Sequence, residues 1–466
     1  MRLVLSAAAL LAVCTVATFA QELPAATQQQ VEAIAQKVLK DTGVPSASVA
    51  IAENGKVVYA HSFGLANVQP PRPSVPLIAY PIGSVSKQFT AAAILLLQQQ
   101  GKLSVDDPVA KYFPKFTRAN DVKLRNLLTM TSGYEDYAPQ DYIIPAWMHE
   151  VSPLKNVTEW ATKPLDFEPG SEWQYSNTNY VILGLIVEKV SGKPLMQFLR
   201  ENIFTPLQLK GVFNTYRERE KLEVTGYVSH ALAPVRVQPL EAAGWYDGDG
   251  DLAMPPSTLA EWDLSFAKKS LLSPESYKMM ETAFTFTSGK PSNYGFGVFT
   301  RTLNGHRALE HSGEVGGYVA ENIAFPDDGA AIVVLTNEVA SSAAGSIAHG
   351  ILPLLFPDSA KPVAASGDTL VSTLRTLLPE LQQAKIDRSA LTSNAAYYFT
   401  PETLSDFQST LAPLGALKSV KLLRSAQRGG MTFGAYSAEF EKGTVHLSTY
   451  LTKDGKIEQL LVVGKE

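Results

Sequence analysis

Gly83-Ser84-Val85-Ser86-Lys87, followed by the apolar run Phe89-Thr90-Ala91-Ala92-Ala93-Ile94-Leu95-Leu96-Leu97, is the stretch on which the reading of this chain turns. The run is rich in Ala and Leu and reads as a buried helix entered through a glycine turn. With Ser84 at or just inside the helix N-terminus, Lys87 lies one turn on and on the same face. A hydroxyl then stands beside an ammonium, and both the cation and the helix N-terminus favour an alkoxide developing on that oxygen. The spacing alone says little, because Ser152-Pro153-Leu154-Lys155 repeats it and reads as a helix cap followed by proline. Taken by itself, Ser84 also reads as an N-cap.

Upstream, Val31, Ile34, Val38 and Leu39 recur at helical spacing and stop at Gly43, a glycine C-cap. Val49-Ala50-Ile51 and Val57-Val58-Tyr59 flank Asn54-Gly55, a hairpin signal because both central turn residues must accept positive φ. Downstream, Arg307 to Ser312, Gly317 to Phe325 and Ala330 to Thr336 read as strands, with Pro326-Asp327-Asp328-Gly329 turning between the last two. Strands from both ends of one unit, with a helical and loop-rich stretch between them, imply an α+β fold (an α/β-type sandwich) with a cleft where the two parts meet.

Pro357 to Gly367 has linker composition. The expected organisation is therefore a first domain over 21–356, a linker over 357–367 and a small α+β domain over 368–466. In the last part, a helix carrying Leu370, Leu374, Leu377, Leu378 and Leu381 and another starting at Thr400-Pro401-Glu402 precede four strand-like runs. Their turns, Gly429-Gly430, Lys442-Gly443 and Asp454-Gly455, predict an antiparallel meander packed on helices. This part shows no catalytic constellation and is expected to be dispensable for chemistry.

The 466 residues are 45% hydrophobic and 18% charged, the composition of a soluble globular protein of two to three domains. With 40 Lys plus Arg against 45 Asp plus Glu, a net charge of -5 and no basic block, nucleic acid is excluded as a partner. Arg2, the uncharged run Leu3 to Ala20 and the small-residue close Thr18-Phe19-Ala20 predict a secretory signal peptide over 1–20; a retained membrane anchor is the other reading. Cys14, the single cysteine, lies inside this run, and Val13 is bulkier than a lipoprotein cut there usually tolerates. The mature chain is expected to be secreted or periplasmic in a bacterium, without stable membrane insertion, disulfides or a Cys-based metal site. Nothing here specifies an oligomeric state.

Company changes the odds for Ser84. Tyr175-Ser176-Asn177 precedes another apolar helix, Val181 to Val190, and His311-Ser312-Gly313 lies on a predicted strand. Serine, lysine, tyrosine, asparagine and this strand, in this order, resemble the penicillin-recognising serine hydrolase superfamily, closest to class C β-lactamases, D-alanyl-D-alanine carboxypeptidases and related serine esterases. Leu124 to Tyr134, Tyr294-Gly295-Phe296-Gly297, Gly313 to Tyr318 and Ala324-Phe325-Pro326-Asp327 look like further segments of that family. The likeness runs from about residue 27 to 355; the C-terminal part only suggests a cystatin-like or NTF2-like module. The resemblance implies a β-lactamase/transpeptidase-like antiparallel sheet flanked by helices with a helical insertion. It makes Ser84 the acylated nucleophile, Lys87 its neighbour and Tyr175 the proton acceptor. Asn177, His311, Ser312 and Gly313 would bind substrate, and the backbone N–H groups of Ser84 and Glu314 would form the oxyanion hole. A phenol has a pKa of about 10, so Tyr175 serves as a base only if cations such as Lys87 and protonated His311 favour the phenolate. No metal or organic cofactor is implied.

The sequence also departs from that pattern. His311 stands where strict penicillin-binding enzymes carry lysine, which makes the strand's charge conditional on pH. Glu314 replaces a small residue and shares a strand face with Ser312, so a carboxylate there would repel a substrate carboxylate. Neutral acyl esters are therefore expected to be better substrates than anionic β-lactams. Asp247-Gly248-Asp249-Gly250-Asp251 resembles the start of a calcium loop, but Leu252 and Thr258 occupy the places of its Gly and Glu, so it reads as a polar loop beside the cleft. His149-Glu150 lacks the second His of a zinc-protease helix, and no Gly-x-Ser-x-Gly elbow appears. The expected protein is a secreted serine hydrolase acting through an acyl-enzyme on a small-molecule or peptide ester or amide, β-lactams and D-amino-acid peptides among them. The alternative is a non-turnover penicillin-binding or cell-wall sensor that acylates once and stops.

Overall fold

The structure, a computed structural model, describes residues 22–357, 370–428 and 430–465. The signal-peptide segment 1–20 with Cys14, and linker residues 358–367, lie outside the described residues. Helix α1 (Ala25–Thr42) ends at Gly43, whose φ of 80° lets its N–H close on Leu39 O at 2.9 Å. Strands β1 (Ser46–Glu53) and β2 (Lys56–Asn67) form the expected hairpin, with Asn54 and Gly55 at φ 52° and 74°. The insertion carries α2 (Lys87–Gln99), α3 (Asn177–Ser191) and α4 (Pro256–Lys268). Strands β3 (Phe299–Leu303), β4 (His306–Val315), β5 (Tyr318–Phe325) and β6 (Ala330–Thr336) follow, then α5 (Ala343–Leu355).

All strands pair antiparallel, in the order Arg72–Pro73, β2, β1, β6, β5, β4, β3. The two ends of the domain meet where β1 pairs β6, with Val49 opposite Val334. Both β5 and β6 are buried at every residue because helices cover both faces of the sheet, α1 and α5 on one, α2 and α4 on the other. Polar groups fix α2 in place. Gln88 donates to Asn322 Oδ1 at 2.8 Å and accepts from Trp262 Nε1 at 2.8 Å, and Asn322 donates to Asp263 at 2.6 Å. In an interior this dry, each bond is cheap to keep and costly to break. The helix that carries Lys87 is thereby tied to β5 and α4.

The C-terminal domain consists of α6 (Leu370–Leu381), α7 (Ser393–Tyr398), α8 (Pro401–Leu411) and a four-stranded meander, β7 (Leu417–Arg428), β8 (Met431–Phe440), β9 (Gly443–Leu451) and β10 (Ile457–Lys465). Leu374, Leu378, Phe399 and Phe407 pack on Tyr436, Leu447 and Leu460 as a separate core. Side chains alternate across the sheet, so Phe433, Tyr450 and Gln459 point the other way. That second face rests on the first domain. Gln459 exchanges two bonds with Asp141 (2.7 and 2.8 Å), Tyr142 Oη donates to Glu458 O at 2.7 Å, and Arg236 reaches Asp406 at 2.7 Å. The linker composition predicts few contacts across this boundary; the structure corrects that, because the second face of the meander carries polar groups that bond to the first domain. Among the described residues no helix is long and apolar enough to cross a membrane.

Candidate active site

Ser84 sits in the 3₁₀ turn Gly83–Ser86 that leads into α2. The turn packs backbone to backbone on β4. A Cβ added at Gly313 would stand 1.9 Å from Ile82 O and 3.1 Å from Ser84 N, and one added at Gly83 would stand 2.6 Å from Glu314 N. Glycine at both positions brings the N–H groups of Ser84 and Glu314 to the same corner, the arrangement an oxyanion requires.

Lys87 is completely buried. Its Nζ donates to Ser84 Oγ at 2.9 Å, Asn177 Oδ1 at 2.7 Å and Asp249 O at 2.8 Å, so all three protons are used. Burial lowers its pKa to about 8 against the opposing pull of the Asp249 carboxylate, 3.8 Å away. Asn177, at the start of α3, is held in turn: its N–H donates to Asp136 Oδ1 at 2.9 Å and its side chain to Ala138 O at 3.0 Å. The Tyr175 ring lies 5.0 Å from Lys87 Nζ. Its Oη is buried without a hydrogen bond of good geometry. Burial raises the Tyr175 pKa more than Arg428 and the Ser84 hydroxyl lower it. Tyr175 is therefore a phenol at neutral pH, a proton donor, and the cations do not make it the phenolate that a base would need to be.

His311 is also buried. Its Nδ1 lies 2.6 Å from Ser312 O, an acceptor only, so the ring proton is on Nδ1 and Nε2 accepts from Tyr294 Oη at 3.0 Å. Burial, then the charge of Lys87, lowers its pKa to about 3. The pH-conditional cation expected on this strand is thus corrected: His311 is a neutral ring throughout the working range. Ser312 is exposed to the cleft, and Glu314 shares its face, the β4–β5 register running without a bulge. Glu314 accepts from Ala340 N at 2.8 Å, and burial with the nearby Asp141 pushes its pKa well up. Burial and the nearby Asp141 thus disfavour the charged form of Glu314 and weaken the repulsion expected between it and a substrate carboxylate.

Ser84, Tyr175, Asn177, His311, Ser312 and Glu314 line one cavity of about 680 Å³. Its far wall, with Tyr398, Arg428 and Tyr450, belongs to the C-terminal domain. Three residues were missed from sequence. Asp249 lies in the loop read as merely polar; Asp136 and Arg428 carry no local signal, since one carboxylate in a loop and one arginine ending a strand look like solvated charge. Ser152, the rival of Ser84, is an N-cap whose Oγ accepts from Lys155 N at 3.2 Å. Among the described residues no group of three or more His, Cys, Asp or Glu could hold a metal ion.

The family described as Beta-lactamase matches residues 31–352. Penicillin-binding protein 4* of Bacillus subtilis is 30% identical over 308 residues, 62% of this chain and 68% of that protein. The octameric penicillin-binding protein homologue from Pyrococcus abyssi superposes with a TM-score of 0.62 at 22% identity, over 94% of this chain and all of that one. D-amino acid amidase from Ochrobactrum anthropi gives 0.62 at 22% identity, over 71% of this chain and 99% of its own. At such identities the two structures speak for the fold alone. Together with the extent of the family match, these findings place the chain in the β-lactamase family, within the penicillin-recognising serine hydrolase superfamily.

Proposed function

We propose that the protein is an exported serine hydrolase that works through an acyl-enzyme on Ser84, with neutral esters and amides as its preferred substrates. The observation that carries this reading is the buried Lys87 ammonium bridging Ser84 Oγ and Asn177 Oδ1 at the floor of the cleft. In the neutral amine the Ser84 bond reverses: the hydroxyl donates to Nζ, and Oγ attacks the acyl carbon as its proton passes to Lys87. The N–H groups of Ser84 and Glu314 receive the oxyanion. Tyr175 O–H gives its proton to the leaving oxygen or nitrogen and regains one from the Lys87 ammonium. Water then attacks the acyl carbon by the same route in reverse. The base role moves from Tyr175 to Lys87 because burial favours the neutral form of each, and only the amine is a proton acceptor when neutral. The preference for neutral substrates rests on the neutral His311, which offers a substrate carboxylate no charge. The name of a penicillin-binding protein among the similar proteins supports the acyl-transfer class.

Ser84→Ala should abolish p-nitrophenyl ester hydrolysis and covalent labelling by a fluorophosphonate, and Ser152→Ala should leave both intact. The labelling rate should climb as pH rises through about 8, because Lys87 must lose its proton to act. Labelling that survives in Ser84→Ala would overturn the assignment, and an acyl adduct of an ester persisting for hours in mass spectra would replace turnover with sensing.

A further inference from the structure

Arg428, the last residue of β7, reaches across the domain boundary to the chain that carries Tyr175 and Asn177. Its backbone forms a parallel bridge with that of Tyr175. Its Nε donates to Asp136 Oδ2 at 3.2 Å, Nη2 to Ala138 O at 3.0 Å and Nη1 to Tyr450 Oη at 2.9 Å, and its guanidinium lies 5.0 Å from the centroid of the Tyr175 ring. Two of those acceptors are shared: the Asn177 side chain also donates to Ala138 O, at 3.0 Å, and to Asp136 Oδ2, at 3.4 Å. A continuous set of bonds therefore runs from Arg428 through Asp136 and Ala138 to Asn177, Lys87 and Ser84. At its far end the strand motif supplies no charge, since His311 is a neutral ring bonded to Tyr294 and to its own chain.

We propose that Arg428 is a positioning residue of the active site supplied by the C-terminal domain: it fixes Asn177 through Asp136 and the Ala138 carbonyl and holds a permanent positive charge against Tyr175. The inference rests on the acyl-enzyme reading of Ser84 and adds to it that the site is built from two domains. The carboxylates of Asp249, Asp136 and Asp251 face Lys87 and favour its ammonium, whereas Arg428 favours the neutral amine. Arg428 itself is faced by Asp136, by Asp141 at 3.8 Å, by Tyr450 and Tyr175, and by Glu314 beyond. With the guanidinium gone, Asp136 acts on Lys87 unopposed and the ammonium holds its proton to higher pH.

The test uses the full chain with Arg428→Met, Arg428→Gln and Arg428→Lys, a p-nitrophenyl ester for kcat and KM, and the pH dependence of fluorophosphonate labelling. The two uncharged variants should lose about 10–100-fold in kcat with KM changed little. Their labelling rate should rise about one pH unit later than in the parent. Arg428→Lys should keep the parent's pH dependence, because it keeps the charge, and lose part of kcat, because an ammonium cannot reach three acceptors held by a planar fork. A purely structural arginine would lower activity equally at every pH. Arg428→Gln can still bond Asp136 and Ala138, so it decides the matter if Arg428→Met does not fold. An unmoved pH dependence in either folded uncharged variant overturns the assignment of Arg428 while leaving Ser84 in place. Labelling that persists in Ser84→Ala overturns the acyl-enzyme reading instead.

Discussion

Lys87 shows how one side chain can be both a structural and a chemical group. Its three bonds suit the ammonium, while burial weakens the ammonium's hold on its proton, so a pKa of about 8 leaves a usable fraction of neutral amine near neutrality. Asp249, raised to about 7 by burial, titrates beside it, so the rise in activity belongs to the pair. His311 is the instructive contrast. Burial without a carboxylate partner lowers its pKa to about 3, so it stays neutral as pH rises from 5 to 8 and adds nothing to the pH dependence there. We expect His311→Gln to leave the pH of the rise unchanged and to lower kcat about fivefold, the effect of one lost hydrogen bond to Tyr294. A pH–rate profile whose rise moves on this substitution would show that His311 titrates in the working range.

At the scale of elements, the site depends on a turn crossing a strand at backbone contact. Gly83 has φ 49°, a left-handed conformation that favours glycine, and Gly313 leaves no room for a methyl group. Gly313→Ala should push the turn off β4 and misalign the N–H groups of Ser84 and Glu314. We expect about a 10²–10³-fold loss of kcat, together with about 1–3 kcal/mol of stability from overpacking. Ester kinetics and a thermal melt measure the two separately; a folded variant with the parent's kcat would remove the oxyanion role from this corner. The elements themselves were readable from local pattern: the Asn54-Gly55 turn, the Gly43 cap and the apolar run of α2 each carry their own backbone requirement. The crossing was not readable from local pattern, because nothing near Gly83 names residue 313 as its neighbour; only the family resemblance put the N–H groups of Ser84 and Glu314 together.

At the scale of the molecule, β9 and β10 of the C-terminal meander are covered on both faces, by the domain's own helices and by the first domain, while most of β7 stays exposed or half-buried. Buried polar residues on the second face, Ser448 and Gln459, mark that contact. A chain ending after Pro357 would lose Arg428 and leave Asp136, whose side chain is fully buried, without its cation. Removing one partner of a buried ion pair costs about 3–5 kcal/mol. The shortened chain should therefore melt at a lower temperature and be labelled by a fluorophosphonate far more slowly than the parent. A cooperative melt with parent-like labelling would show that the first domain is sufficient.

The sequence by itself determined the sheet built from both ends of the first domain, the helices around it, the meander and, through the motifs that carry its family resemblance, Lys87, Tyr175, Asn177 and His311 around Ser84, but not Asp249, Asp136 or Arg428. These follow from patterns of period two and 3.6, from turn residues with their own φ requirements, and from motifs a few residues long. Only the tertiary structure decided which of those groups carry charge. A pKa depends on burial and on neighbours brought from far along the chain, so those of His311 and Lys87 fall while those of Glu314 and Tyr175 rise. The contact of Arg428 with Asp136, 292 residues apart, belongs to the same class: it exists because two faces that each needed covering met over the cleft.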